Sequence, residues 1–141
     1  MNFFEAIRSC FSKYATFKGR ATRSELWYWF LFTCVVEFVL SFAIIGWFSA
    51  IFGLIFILPS AAVMCRRLHD VNRSGWWFIA PPILFVILSL SPAIVGDLSV
   101  AISYLVIVPY ALFTLFVLLR TTYWYFKRSD QGDNDYGPAA Y

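Results

Sequence analysis

Two long apolar stretches divide the chain. Leu26 to Cys65 runs forty residues with one charge, Glu37, and Trp76 to Leu119 runs forty-four with one charge, Asp97. A helix crosses bilayer hydrocarbon with roughly 20 apolar residues, so each stretch has about twice the length it needs. Each therefore reads as a helical hairpin. The first pattern places a turn at Gly46-Trp47-Phe48-Ser49. The second places one at Pro92-Ala93-Ile94-Val95-Gly96-Asp97, where breakers and a charge coincide. The predicted fold class is an all-α membrane protein with four transmembrane helices arranged as two hairpins. The spans cover about 26–46, 48–66, 76–95 and 100–119, in a single membrane domain over 1–120.

An amphipathic segment precedes the first span. In residues 2–14, Phe4, Ile7, Phe11 and Tyr14 recur at helical spacing, which suits an interfacial helix with its aromatics toward the acyl chains; helix and turn together take residues 1–20. Gly19 permits the turn into span one. Thr22 and Glu25 have the spacing of a capping box, and Trp27, Tyr28 and Trp29 stand where an interfacial aromatic belt belongs. The segment between the apolar stretches repeats this plan. Asp70, Asn72, Ser74 and Gly75 are turn formers, Ser74 is placed to cap span three, and Trp76 and Trp77 supply the belt. Arg23 and Arg73 each open an R-S-x-x-W run, consistent with a duplicated hairpin or with independent use of one cap-and-belt solution. Pro59, Pro81, Pro82 and Pro109 fall inside spans, where membrane bundles tolerate them as packing features. Residues 121–141 read as a polar cytoplasmic tail, flexible by composition over 127–141.

Composition removes the soluble alternative. The chain is 61% hydrophobic and 13% charged, against about 25% charged in soluble domains. All 11 basic residues fall on one side if there are four spans: Arg8, Lys13, Lys18, Arg20 and Arg23 before the first, Arg66, Arg67 and Arg73 between the second and third, Arg120, Lys127 and Arg128 after the fourth. The positive-inside rule then puts both termini and the central loop of this multi-pass membrane protein in the cytoplasm. Topology thus accounts for the net charge of +3 without nucleic acid as a partner. An odd set of 3 cysteines without a CxxC pair suits a reducing compartment, and the N-terminal region lacks the pattern of a cleavable signal.

The central loop, RRLHDVNRSGWW at 66–77, carries most of the candidate chemistry. Arg66, Arg67 and Arg73, with Arg20 and Arg23, form a candidate site for an anionic headgroup, because guanidinium forks match phosphate oxygens. Glu25, His69, Asp70, Asn72 and Ser74 would organise the loop. The alternative is a loop that satisfies itself, with arginines on Asp70 and Glu25, and His69 bonded to one of those two carboxylates. Arg66 and Asp70 have the spacing to pair on one helix face. One histidine with one cysteine and one aspartate nearby falls short of a four-ligand metal set. No nucleophile, phosphate-loop or cofactor motif occurs, so neither catalytic residues nor cofactors are assigned and the chain is not read as an enzyme. Glu37 lies near mid-membrane, where an ionisable group is a functional candidate, and it supports a second reading as a small transporter or channel subunit. Membrane lipids are the partner the composition implies. Four short spans leave little room for a pore within one chain, which fits a homo-oligomer or a membrane-protein partner.

Three runs together carry a resemblance: GRATRSELW entering the first span, RRLHDVNRSGWW between spans two and three, and QGDNDYGP in the tail. They resemble the bacterial inner-membrane family called domain of unknown function 805, whose members are YhaH/YhaI-like proteins. Leu26 stands where that family's pattern has an aromatic residue. The resemblance implies a small multi-pass inner-membrane protein without an established activity, and it brings no functional residues with it.

Overall fold

The computed structural model describes residues 1–43, 47–95 and 100–139. Among these the regular structure is helical: five α-helices, a 3₁₀ turn at Gly75–Phe78, and one isolated bridge between Asn134 and Gly137. The chain divides into two compact units. One comprises Met1–Gly75 with Lys127–Tyr141, the other Trp76–Phe126.

In the first unit, α1 (Phe3–Ser12) begins at a capping box. The Asn2 side chain accepts the Glu5 N–H at 2.9 Å, and the Glu5 carboxylate accepts the Asn2 N–H at 2.8 Å. This satisfies donors that the first turn otherwise leaves open. The small residues Ala6 and Cys10 are buried, which lets α1 approach α2 (Arg23–Ala43) and α3 (Trp47–Asp70) closely. The aromatic stripe expected to face lipid is therefore split. Phe4 points outward, whereas Phe11 packs its ring against Trp29, Phe32 and Phe56.

α2 and α3 run antiparallel, as three contacts in register show: Glu25 with Arg66, Trp29 Nε1 with Ser60 Oγ at 2.9 Å, and Phe32 with Phe56. The edge-on aromatic contacts between them contribute about 0.5–1.5 kcal/mol each beyond the area they bury. Pro59 lies buried inside α3 and offers no N–H to the carbonyl of Ile55. That carbonyl is served instead by the Tyr14 hydroxyl.

Parts of both expected turns are helical instead. Trp47, Phe48 and Ser49 open α3 rather than forming a turn, and Gly46 lies outside the described residues. α3 then continues to Asp70, past the expected end at residue 66. In the second unit, Pro92, Ala93, Ile94 and Val95 belong to α4 (Ala80–Val95), and Gly96 and Asp97 lie outside the described residues. α5 (Val100–Phe126) continues past residue 119, the expected end of the span, so residues 121–126 are helical. None of these residues has to break a helix, and a helix can run past the apolar stretch that it contains.

Within the second unit α4 and α5 also pack antiparallel. Trp77 meets Trp124 edge-on at 5.3 Å, and the Tyr110 hydroxyl donates to the Leu84 carbonyl at 3.2 Å. Thr114 and Thr121 turn their hydroxyls back onto the carbonyls four residues earlier, which satisfies them without a partner helix. Among the described residues two helical stretches, Arg23–Phe42 and Ile107–Phe126, are long and apolar enough to cross a membrane. Their outer faces are lined by exposed Leu31, Val35, Phe38, Leu112 and Phe116.

Candidate functional site: a buried arginine–carboxylate knot

The last turn of α3 reads Arg66-Arg67-Leu68-His69-Asp70, and successive helical residues point about 100° apart. Arg66 and Arg67 therefore meet different neighbours. Arg66 crosses to α2, where Nη1 lies 2.9 Å from Glu25 Oε1, and its Nε donates to the Ala62 carbonyl at 3.3 Å. Its Nη2 is buried without a hydrogen-bond partner among the described residues. The expected pairing of Arg66 with Asp70 is replaced by Arg67 with Asp70, at a spacing of three rather than four residues.

Asp70 is shared. Arg67 Nη1 takes one carboxylate oxygen, and Arg20 Nε takes the other at 2.9 Å. Arg20 arrives from outside the helices. Gly19 turns the chain at φ +87°, where a side chain would be strained, and the Ala21 N–H donates to the Arg66 carbonyl at 3.0 Å. All three arginines are buried, as are Asp70 and Glu25.

The polar C-terminal segment, expected to be flexible, closes this knot. Arg20 donates to the carbonyls of Asp130 at 2.6 Å, Gly137 at 3.4 Å, and Gly132. Arg67 donates to the Lys127 carbonyl and to Ser129 Oγ at 3.2 Å. The Asp130 N–H returns a bond to the Asp70 carbonyl at 3.1 Å. Burial draws the Arg67 guanidinium below its ordinary pKa, with Asp70 opposing the shift and the nearby Arg23 charge adding to it.

His69 bonds to neither carboxylate. Its Nδ1 donates to the Gly19 carbonyl at 3.2 Å, Nε2 lies 3.7 Å from Cys65 Sγ, and Tyr136 stacks on the ring at 3.9 Å. Asn134 donates to the His69 carbonyl at 2.8 Å. Burial lowers the imidazole pKa, and the bond to Gly19 opposes that only in part. Gly75 completes the packing: a Cβ there would run into Cys65 Sγ and crowd His69 Nε2.

Asn72 ends α3. It adopts φ 53°, the Asn72 N–H donates to the His69 carbonyl, and the Arg73 N–H donates to the Leu68 carbonyl, which is a Schellman close with Asn in the left-handed position. Ser74 is exposed, and among the described residues its hydroxyl caps nothing. Thr22 Oγ1 accepts the Glu25 N–H at 3.2 Å, half of the expected capping box. The Glu25 carboxylate is taken instead by Arg66, by Ser9 Oγ at 3.0 Å, and by Cys10 Sγ at 3.9 Å. Burial, and then the Glu25 charge, push the Cys10 thiol up to about 12, so it remains a hydrogen-bond donor at neutral pH.

The structure thus gathers Arg20, Arg66, Arg67, Glu25, His69 and Asp70. Arg23 and Arg73 stay exposed at its edge. Glu37 takes no part: it sits on the outer face of α2 beside exposed Phe38, with no hydrogen bond or ion pair among the described residues. Sequence reasoning missed the tail partners and the Tyr14 bond. The signal that was available is Tyr136, a lone aromatic between polar residues and glycine.

No solved structure matches the chain. It is 38% identical to the inner membrane protein YhaH of Escherichia coli strain K12 over 83 residues, which cover 52% of this chain and 69% of YhaH. It is 35% identical to the inner membrane protein YhaI of the same strain over 89 residues, covering 57% of this chain and 75% of YhaI. Residues 14–138 match the family described as "Protein of unknown function (DUF805)". That match spans both ends of the knot, from Tyr14 through the docked tail, and the chain belongs to this family.

Proposed function

We propose that this is a four-span inner-membrane protein of two helical hairpins, with both termini in the cytoplasm, and that it is a non-enzymatic membrane component. Its cytoplasmic end carries a basic surface that binds an anionic headgroup. One observation carries the reading. Five of the chain's 11 basic residues gather at the knot: Arg20, Arg66 and Arg67 are buried against Glu25 and Asp70, and Arg23 and Arg73 are exposed beside them. Such a basic cluster, held at the ends of long apolar helices, suits the depth of lipid phosphates. The inner-membrane names of its relatives and the placement of all 11 basic residues support the location.

The test compares wild-type protein with the Arg23→Gln, Arg73→Gln variant in mixed phosphatidylglycerol–phosphatidylcholine nanodiscs, reading retained lipid by native mass spectrometry. Each arginine near an anionic surface contributes about 1 kcal/mol, so the double change should weaken the phosphatidylglycerol preference roughly tenfold to thirtyfold. Equal retention by both folded proteins would sink the reading.

A second reading, a small transporter or channel subunit, draws on the place of Glu37. Glu37 is exposed on α2, and this reading takes the path to be lined by more than one chain, as a homo-oligomer or with a membrane-protein partner. In that case Glu37→Gln abolishes ion flux in proteoliposomes and leaves lipid retention unchanged.

A further inference from the structure

We infer that the face of α2 carrying Cys34, Glu37 and Ser41 is the docking surface for a second copy of this chain, with the Glu37 carboxyl at its centre. It rests on the four-span reading only in that α2 crosses the membrane, and it needs no headgroup site. Glu37 stands ten residues beyond Trp27 of the expected aromatic belt. At 1.5 Å per residue that is about 15 Å along the helix, half of a hydrocarbon core of roughly 30 Å. Long basic side chains near helix ends reach back to the interface, but a glutamate at mid-core does not. Yet Glu37 is exposed, with no hydrogen bond or ion pair among the described residues. A polar group at this depth is costly unless another protein surface serves it.

The same helix carries the groups that serve it. Cys34 lies three residues before Glu37 and Ser41 four residues after, so the three share one face, and all three are exposed. The Cys34 thiol donates to nothing among the described residues, and the Ser41 hydroxyl turns back onto the Phe38 carbonyl at 2.7 Å, a bond that a carboxyl acceptor can replace. One acceptor is thus flanked, a turn to either side, by two donors, which makes the face complementary to itself. Copies of one membrane protein insert with the same orientation. A two-fold axis along the membrane normal then sets two α2 helices side by side and parallel, with the same patch on both. Residue 37 lies near the crossing, and residues 34 and 41 of the other copy come within a turn of it. Each Glu37 carboxyl accepts the thiol of Cys34 and the hydroxyl of Ser41 from the other copy, and every bond occurs twice. The small side chains at 34 and 41 let the backbones approach, and lipid tails offer no donor in their place.

The experiment uses the full-length protein in phosphatidylcholine liposomes, oxidised with copper phenanthroline and dioxygen. Cys10 and Cys65 are buried, so Cys34 is the thiol within reach of the oxidant. Near the axis its Cα and that of the other copy come within the span a disulfide bridges, about 4.4–6.8 Å, and a linked dimer should hold most of the chain. Cys34→Ala should abolish the link. Val39→Cys added to that variant should restore little of it, because Val39 is also exposed but lies about 200° around the helix from Glu37. Association is then followed by energy transfer between copies labelled at the C-terminus as the protein is diluted in lipid. Glu37→Leu should weaken it roughly tenfold, the loss of symmetry-related interhelical bonds. Glu37→Gln keeps an oxygen that accepts from the same donors and should retain most of the association. Absence of a Cys34 link, which a face covered by this chain's own second hairpin would give, overturns the inference, as does equal linking through Val39→Cys. A membrane-impermeant maleimide separates the two failures. Labelling of Cys34 in intact liposomes would show that α2 does not span, and the four-span reading would fall with this one. A protected Cys34 that forms no link would overturn the docking surface alone.

Discussion

Tyr14 donates its hydroxyl to the carbonyl of Ile55, the acceptor that Pro59 leaves without its helical N–H. The bond joins the segment after α1 to the middle of α3, and it explains how a buried proline persists in that helix. Tyr14→Phe should cost about 1 kcal/mol, the usual net worth of such a bond. In a Pro59→Ala background the residue-59 N–H serves Ile55 again, so the same change should cost much less. Denaturant unfolding of the four proteins in detergent measures the coupling. Equal costs in both backgrounds would disprove it.

The ion pair of Arg66 with Glu25 is buried on both sides and joins α3 to α2. Removing one partner leaves an uncompensated charge, and Glu25→Ala should destabilise by about 3–5 kcal/mol. Replacing both, as Glu25→Leu with Arg66→Met, should recover most of that loss, because paired burial yields little net stability over apolar packing. Thermal unfolding followed by circular dichroism decides this. A double variant as unstable as the single one would show that the pair is needed for folding itself.

The helices were legible in the sequence because a forty-residue run with a single charge admits few alternatives. Their ends were not. Trp47 to Ser49 and Pro92 to Val95 are compatible with helix, and only the surrounding hydrogen bonds decide. Within the knot, residue types were readable and partners were not. Arg66 and Asp70 at a spacing of four looked like the pair, but the neighbouring Arg67 shares its face with Asp70 while Arg66 faces Glu25. The docking of the tail was least legible. Its bonds to Arg20 and Arg67 run mainly through backbone carbonyls, which every residue carries alike, so its composition suggested flexibility.

Gly75 has no room for a methyl group, since Cys65 Sγ occupies the place a Cβ would take. Gly75→Ala should cost about 1–3 kcal/mol, as overpacking usually does. Cys65→Ala removes the obstructing sulfur, so the two changes together should cost less than their separate effects combined. Unfolding midpoints for the four proteins test this. Strict additivity would mean that backbone conformation, rather than the Cys65 contact, requires glycine.

His69 is held in its neutral form. Nδ1 carries a proton to the Gly19 carbonyl, Nε2 faces the Cys65 thiol, Tyr136 covers the ring, and burial lowers its pKa below the usual 6.5. The sign follows from counting protons. Between the lowered folded value and 6.5, the unfolded chain binds more proton than the folded one, so stability rises with pH across that window. The contribution is complete above about 6.5, where histidine is neutral in both states, and is lost as the pH falls through that value toward the lowered folded one. Carboxylates ordinarily titrate lower, near 4, which keeps the window between pH 7.5 and 5.5 informative. Melting temperature should therefore fall over that interval, and exchange at the Asn134 amide should quicken, because the stack on Tyr136 depends on the same ring. His69→Asn keeps a donor toward Gly19 without a group that titrates here, and its melting temperature should be flat over the window. A wild-type profile equally flat would show that the imidazole accepts its second proton in place, with Nε2 finding an acceptor as good as the one it loses.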